Sequence, residues 1–226
     1  MWNRQTLKEL GKKAFKNNYW MSVAAAIALG IAIAGITTTC SVSTGQNVGE
    51  MSHEASVSFS IVAGTSSFLI MLLNVFVLKP LEIGGRQFFL NNSEGRADIH
   101  DLLQGFKVNY LNNVLTMFLR DLFTALWTLL FIIPGIVKMY AYSLVPYILA
   151  ENPEMKGTEA IKLSSEMMKG HKWNAFVLDL SFFGWIVLSV LTLGLVGVFY
   201  TNPYIYATDA ELYKAIKAEY ESRVKA

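Results

Sequence analysis

The stretch YLNNVLTMFLRDLFTALWTLLFIIPGIVKMYAYSLVPYILA, Tyr110–Ala150, decides how the rest of the chain is read. It is mostly apolar, is interrupted at Ile133-Pro134-Gly135, and carries the adjacent charges Arg120 and Asp121. A helix rises about 1.5 Å per residue, so roughly twenty residues cross a hydrocarbon core about 30 Å thick. Two apolar runs joined at a Pro-Gly step therefore predict a membrane hairpin over 111–133 and 136–150.

Composition agrees with a bilayer as solvent. The 226 residues are 53% hydrophobic and 16% charged, with a mean hydropathy of +0.38. Soluble chains carry about 25% charged residues, and fewer would leave a water-facing surface uncovered. The single cysteine, Cys40, excludes an intramolecular disulfide and a cysteine-based zinc cage. His53, His100 and His171 lie far apart without ligand spacing, so no metal site is expected. HExxH, GxxxxGK[ST] and GxSxG are absent, and no cofactor motif stands in their place. The basic residues form no continuous footprint, which argues against nucleic acid as a partner.

Outward from the hairpin, further apolar runs predict spans over 19–37, 57–78, 173–193 and 195–209. Tyr19 and Trp20 open the first of these as an interface belt does. A basic start before an apolar run also describes a signal peptide, but this run is longer than a signal core, and a retained helix is expected. Amphipathic helices are predicted over 4–17, 98–107, 158–169 and 210–224. In the first, Leu7, Leu10, Ala14 and Phe15 recur at helical spacing among five basic residues, and Thr6 with Glu9 resembles a capping box. Thr158 reads as an N-cap and Gly170 as a helix stop. The segment 79–109 reads as polar chain beyond the second span, left through Lys79-Pro80.

Orientation follows from the nineteen Lys and Arg. Five precede Tyr19, four lie from Lys79 to Lys107, four from Lys156 to Lys172, and four from Lys214 onward. The positive-inside rule puts all of these blocks, and both termini, in the cytoplasm, leaving only Lys138 outside. A five-span scheme would carry the last basic block across and is rejected. The fold expected is all-α: a single integral membrane domain, 1–226, of six transmembrane helices as three hairpins with cytoplasmic interfacial helices. Phe15-Lys16-Asn17-Asn18-Tyr19, Phe106-Lys107-Val108-Asn109-Tyr110 and Met168-Lys169-Gly170-His171-Lys172 each open a span after an amphipathic helix. Either one unit is repeated three times, or every inside-facing entrance converges on a basic residue beside an aromatic one.

The candidate site residues are Arg120, Asp121 and Asp179. A charge at the centre of a span costs roughly 2.5–3.5 kcal/mol on insertion scales, so each should face protein or water. Neighbours on a helix point about 100° apart, so Arg120 and Asp121 are expected to seek different partners, with Asp179 available to Arg120. Two readings compete: a structural ion pair, and a polar path for a substrate or proton. Pro134, Pro146 and Pro203, in or beside spans, read as bends.

Three segments carry a family resemblance: MWNRQTLKELGKKAFKNNYW at 1–20, FIIPGIVKMYAYSLVPYILAENPEM at 131–155, and EAIKLSSEMMKGHKW at 159–173 followed by FVLDLSFFGWIVLSVLTLG. Together they resemble a bacterial integral membrane family catalogued as domain of unknown function 975. The resemblance implies a polytopic bacterial membrane protein and brings no catalytic or ligand residue with it. The expected function is a non-enzymatic scaffold, accessory or immunity-type factor. It would bind lipid, anionic headgroups or a membrane partner. The alternative is a transporter or channel component with Arg120, Asp121 and Asp179 lining the path. An intramembrane enzyme ranks third.

Overall fold

The computed structural model describes residues 2–41 and 69–225. Of the loop expected over 38–56, residues 38–41 instead continue the first long helix, and 42–56 lie outside the described residues, as does the first half of the second span, 57–68. Among the described residues the structure is helical and contains no strand. Helix α1 (Arg4–Asn17) leads into α2 (Tyr19–Ser41). Helical residues 69–73 and a π-turn, Asn74–Leu78, continue without a break into α3 (Lys79–Ser93). A 3-10 turn, Ile99–Leu103, precedes α4 (Gln104–Lys107). The central pair is α5 (Tyr110–Leu130) and α6 (Ile132–Ala141), followed by α7 (Val145–Glu151) and α8 (Gly157–Met167). Then come α9 (Lys172–Leu180), α10 (Phe183–Leu191), a π-turn at Gly197–Thr201 and α11 (Asn202–Lys225). Three helical stretches, 110–130, 132–151 and 172–191, are long and apolar enough to cross a membrane.

Local chemistry sets the boundaries. Helix α1 starts at Asn3, whose side chain accepts from the Gln5 amide at 2.9 Å, so the cap lies three residues before the expected Thr6. Asp98 and Asp101 form a reciprocal capping box at the 3-10 turn. The break between α5 and α6 falls at Phe131, one turn before Pro134. Proline then occupies the first turn of α6, where its missing N–H leaves no bond unmade. Gly135 closes this tip: a Cβ there would stand 2.6 Å from the Thr128 Cα. Lys138 consequently sits within α6. Lys156, not Thr158, is the N-cap of α8, and Gly170 ends the following turn at φ +83°.

The segment read as a polar exit after Lys79 is instead the centre of the fold. Helix α3 carries Ile83, Phe88, Phe89 and Leu90, all buried, and packs against α1, α2, α5, α7 and α11. Its neighbours come close because glycines permit it: Gly84 meets the Leu102 carbonyl and Gly105 the Pro80 carbonyl. The sixth span and last amphipathic helix, expected as separate elements, form one continuous helix from the π-turn to Lys225. Its Ala207, Ala210, Tyr213 and Ile216 complete the core with Leu7, Phe15, Tyr147 and Ile148.

Helix α1 lies along α11. Gly11 sits on Thr208 (a Cβ would be 2.8 Å from its Cα), and Phe15 meets Tyr200 edge-on at 5.6 Å. At the other end Trp2 donates to His171 Nδ1 at 3.2 Å, and His171 Nε2 is 3.5 Å from Glu219. Arg4, Glu9, Lys12, Lys13 and Lys16 face outward from α1. At roughly 2.5–3.5 kcal/mol per charge at a bilayer centre, such a face keeps α1 out of hydrocarbon. Apolar surface is concentrated elsewhere. At the α5–α6 tip Leu129 is 86% and Ile133 76% exposed, and at the α10 tip Leu193 is 96% exposed.

Candidate functional site

Arg120 projects from the middle of α5 towards α3. Its guanidinium donates to both carboxylate oxygens of Glu82, at 3.0 and 3.3 Å, and through Nε to Asp121 Oδ1 at 2.9 Å. The Lys79 ammonium contacts the other oxygen of Asp121 and lies 3.8 Å from Glu82. Two cations and two anions thus close a ring between α3 and α5. Glu82 and Lys79 are buried, Arg120 nearly so, and Asp121 is 36% exposed at its side chain. Burial on its own pushes the Glu82 carboxyl up. Arg120 and then Lys79 outweigh it and hold the group down at about 2.

This arrangement corrects two expectations. Arg120 and Asp121 bond one another although they are sequence neighbours, because the guanidinium that reaches Glu82 through its terminal nitrogens still presents Nε to Asp121. Asp179 is not the partner of Arg120. It lies on the exposed side of α9 and accepts from the Tyr140 hydroxyl at 2.6 Å. Asp121 and Asp179 therefore belong to separate clusters.

The second cluster surrounds Arg86, two turns along α3 from Lys79. Arg86 donates to the Tyr147 hydroxyl at 3.0 Å and to Asp209 at 3.4 Å, and its guanidinium stands 5.1 Å from the Tyr147 ring and 5.3 Å from that of Tyr206. Its Nε has no protein partner. Beside it is a cavity of about 100 Å³ that Arg86, Tyr140, Tyr147, Asp179 and Asp209 share. A water needs about 30 Å³ of liquid volume and two to four polar partners, so this cavity can hold a few waters.

Lys79, Glu82, Arg86 and Asp209 were not among the sequence candidates. A signal was present: positions 79, 82 and 86 recur at three and four residues, one face of a helix. The polar composition of 79–109 masks that periodicity. A third polar junction joins the ends of the chain, where Trp2, His171, Glu219 and Arg223 meet. Burial lowers the His171 imidazole from its ordinary value; Glu219 opposes the fall and Arg223 adds to it. Among the described residues no group of three or more His, Cys, Asp or Glu is placed to hold a metal ion.

The described residues are all helical with no strand, include stretches of membrane-compatible hydropathy, and pair Lys79 with Asp121, Arg120 with Glu82 and Arg86 with Asp209. Residues 132–220 match the family model described as "Protein of unknown function (DUF975)". No curated protein matches the chain, and no solved structure does.

Proposed function

We propose that this is a multi-pass membrane protein of bacteria, with both termini in the cytoplasm, that acts without catalysis as a lipid- or partner-binding scaffold. The six helical segments are read as three hairpins, each entered through a cytoplasmic amphipathic helix. One observation carries the reading. The charges that would serve a path or a reaction, Lys79, Glu82, Arg120 and Asp121, are spent on one another. The outer faces of α5, α6, α9 and α10 meanwhile present large, exposed apolar side chains. A closed, neutral network fixes helix positions and has no open coordination for a substrate. Co-purification from detergent with mass spectrometry of bound lipid and protein tests it. Recovery of a defined lipid class or partner is expected; recovery of neither refutes it.

Transport is the second reading, favoured by the polar cavity at Arg86, Tyr140, Asp179 and Asp209. It requires that reconstituted protein dissipate a proton or ion gradient, and that Asp209→Asn abolish the flux. Scaffold protein leaves the gradient intact.

A further inference from the structure

We infer that the two C-terminal hairpins, α5–α6 and α10 with the π-turn that follows it, dip into the cytoplasmic leaflet and return, and do not cross the bilayer. The inference rests on the reading of both termini as cytoplasmic and names the surface they meet: the acyl chains of one leaflet beneath anionic headgroups.

The level of the membrane is set by α1. Its exposed Arg4, Lys12, Lys13 and Lys16 belong in water or among headgroups. Its packing partners share that level. Lys8 Nζ reaches the Ser181 carbonyl at 3.3 Å and hydroxyl at 3.2 Å, and stands 4.5 Å from the Phe182 ring. Gly11 lies on Thr208 and Phe15 on Tyr200. Residues 172–182 and 200–223, which a crossing would have to use, are therefore held beside a cationic helix. What remains free is the segment between them. From Ser181 to the turn at Leu193 a helix rises about 18 Å, which passes the middle of a core about 30 Å thick and falls short of its far side. That segment is the exposed apolar one, with Val190 72%, Leu191 75% and Leu193 96% accessible.

The α5–α6 hairpin is tied to the same level. Ile133, Ile136 and Val137 share an apolar groove of about 350 Å³ with Lys172, Trp173 and Phe176 at the start of α9. A full crossing would put Val137 and Lys172 on opposite faces of the bilayer, yet they line one groove. The next residue, Lys138, stands 4.9 Å from the Trp127 ring and 5.6 Å from that of Tyr142, within reach of the same surface. Lys138 and Lys172 thus fit anionic phosphates above the leaflet into which Leu129–Ile133 project. The positive-inside pattern is strengthened, since Lys138 is no longer an outside residue. An even count of passes is kept, because a returning hairpin leaves both ends on one side.

The test is cysteine accessibility in the full chain, in a Cys40→Ser background. A membrane-impermeant maleimide is applied to intact cells and then after detergent. Single sites are Ile132→Cys and Leu195→Cys at the two tips, with Gly45→Cys and Ser222→Cys as outside and inside references. Ile132 and Leu195 are 72% and 64% exposed, so protein does not shield them. Expected is a loss of external labelling at both tips relative to Gly45→Cys, with labelling restored by detergent. Labelling of either tip from outside overturns the inference while leaving the cytoplasmic termini standing. External labelling at Ser222→Cys overturns that reading and the inference with it. Should a tip variant fail to elute as wild type does, Val190→Cys replaces Leu195→Cys and Phe131→Cys replaces Ile132→Cys under the same criterion.

Discussion

Replacing Glu82 by glutamine tests the ring that joins α3 to α5. The carboxylate receives two hydrogen bonds from Arg120 and the field of Lys79, and it is 6% exposed at its side chain. Glutamine keeps the shape and removes the charge. Lys79 and Arg120 then share Asp121 as their one carboxylate in the ring, and a buried positive charge goes uncompensated. Removing one partner of a buried pair costs about 3–5 kcal/mol. At about 2–4 °C per kcal/mol for chains of 150–250 residues, the midpoint of thermal unfolding should fall by roughly 6–20 °C. Differential scanning fluorimetry in mild detergent measures it, with size-exclusion recovery as a second readout. The double variant Glu82→Gln with Arg120→Met removes both ends of the pair and leaves Lys79 with Asp121. It should regain most of the loss, since replacing a whole buried pair is often neutral. A single variant that melts with the wild type, or a double variant as unstable as the single, refutes the reasoning. The pH dependence follows in sign. Glu82 is depressed in the folded protein, so its contribution is present above the ordinary carboxylate range and is lost as pH falls towards about 2.

Asp121→Asn should cost clearly less than Glu82→Gln in the same melt, because a side chain 36% exposed is partly screened by solvent; an equal or larger cost contradicts this. The His171 imidazole is depressed by burial and accepts from Trp2, so the clamp it forms is intact above the ordinary histidine value and weakens as pH falls below it. Trp2 fluorescence between pH 8 and 5 should report a transition that His171→Gln removes. Gly11→Val forces a branched side chain against the Thr208 backbone, where even a Cβ would be 2.8 Å from Cα. Overpacking of this kind costs about 1–3 kcal/mol, and tryptic cleavage at Lys12 and Lys13 should quicken as α1 lifts from α11. Arg86→Lys should destabilise although charge is conserved, because an ammonium cannot both bond Tyr147 and Asp209 and lie over the Tyr147 and Tyr206 rings; an unchanged midpoint would show that the planar contacts contribute nothing.

The parts of this fold that local chemistry dictates were readable in the chain. Helix class follows from apolar runs too long for strands and from the interruptions at Asn18, Asn109 and Gly170, where the backbone breaks in the structure too. At Asn109 it takes a left-handed φ of 45°. Asp98 and Asp101 cap their turn because an acidic pair three residues apart satisfies two amides at once. What could not be read was which helices lie side by side. Hydropathy is one-dimensional: it scores Lys172–Leu191 as a candidate span by composition and says nothing of the contact Lys8 makes with Ser181 in its middle. The same blindness hid α3. Lys79, Glu82 and Arg86 depress the hydropathy of 79–93 as a loop would, and only their partners Asp121, Arg120 and Asp209, from 38 to 123 positions away, make that helix a core element.

Pairing across such distances also explains why the polar residues lie where they do. A charged ring inside hydrocarbon would have to meet the full desolvation cost of four ions. Asp121, 36% exposed at its side chain, keeps part of its hydration while Glu82 and Lys79 are covered by protein. The ring can then hold α5 against α3 at modest cost. That leaves the apolar flank of α5, Leu111, Leu115, Leu122 and Leu126, turned outward. On the scaffold reading proposed above, the charges are the anchor and the apolar flank the surface that meets lipid. Neutralising Glu82 should therefore loosen the attachment of the α5–α6 hairpin before it alters the hairpin's affinity for lipid. Lipid retained by detergent-purified Glu82→Gln, measured by mass spectrometry, should stay near wild type below its lowered melting point; early loss of that lipid would make the ring part of the lipid-binding surface itself.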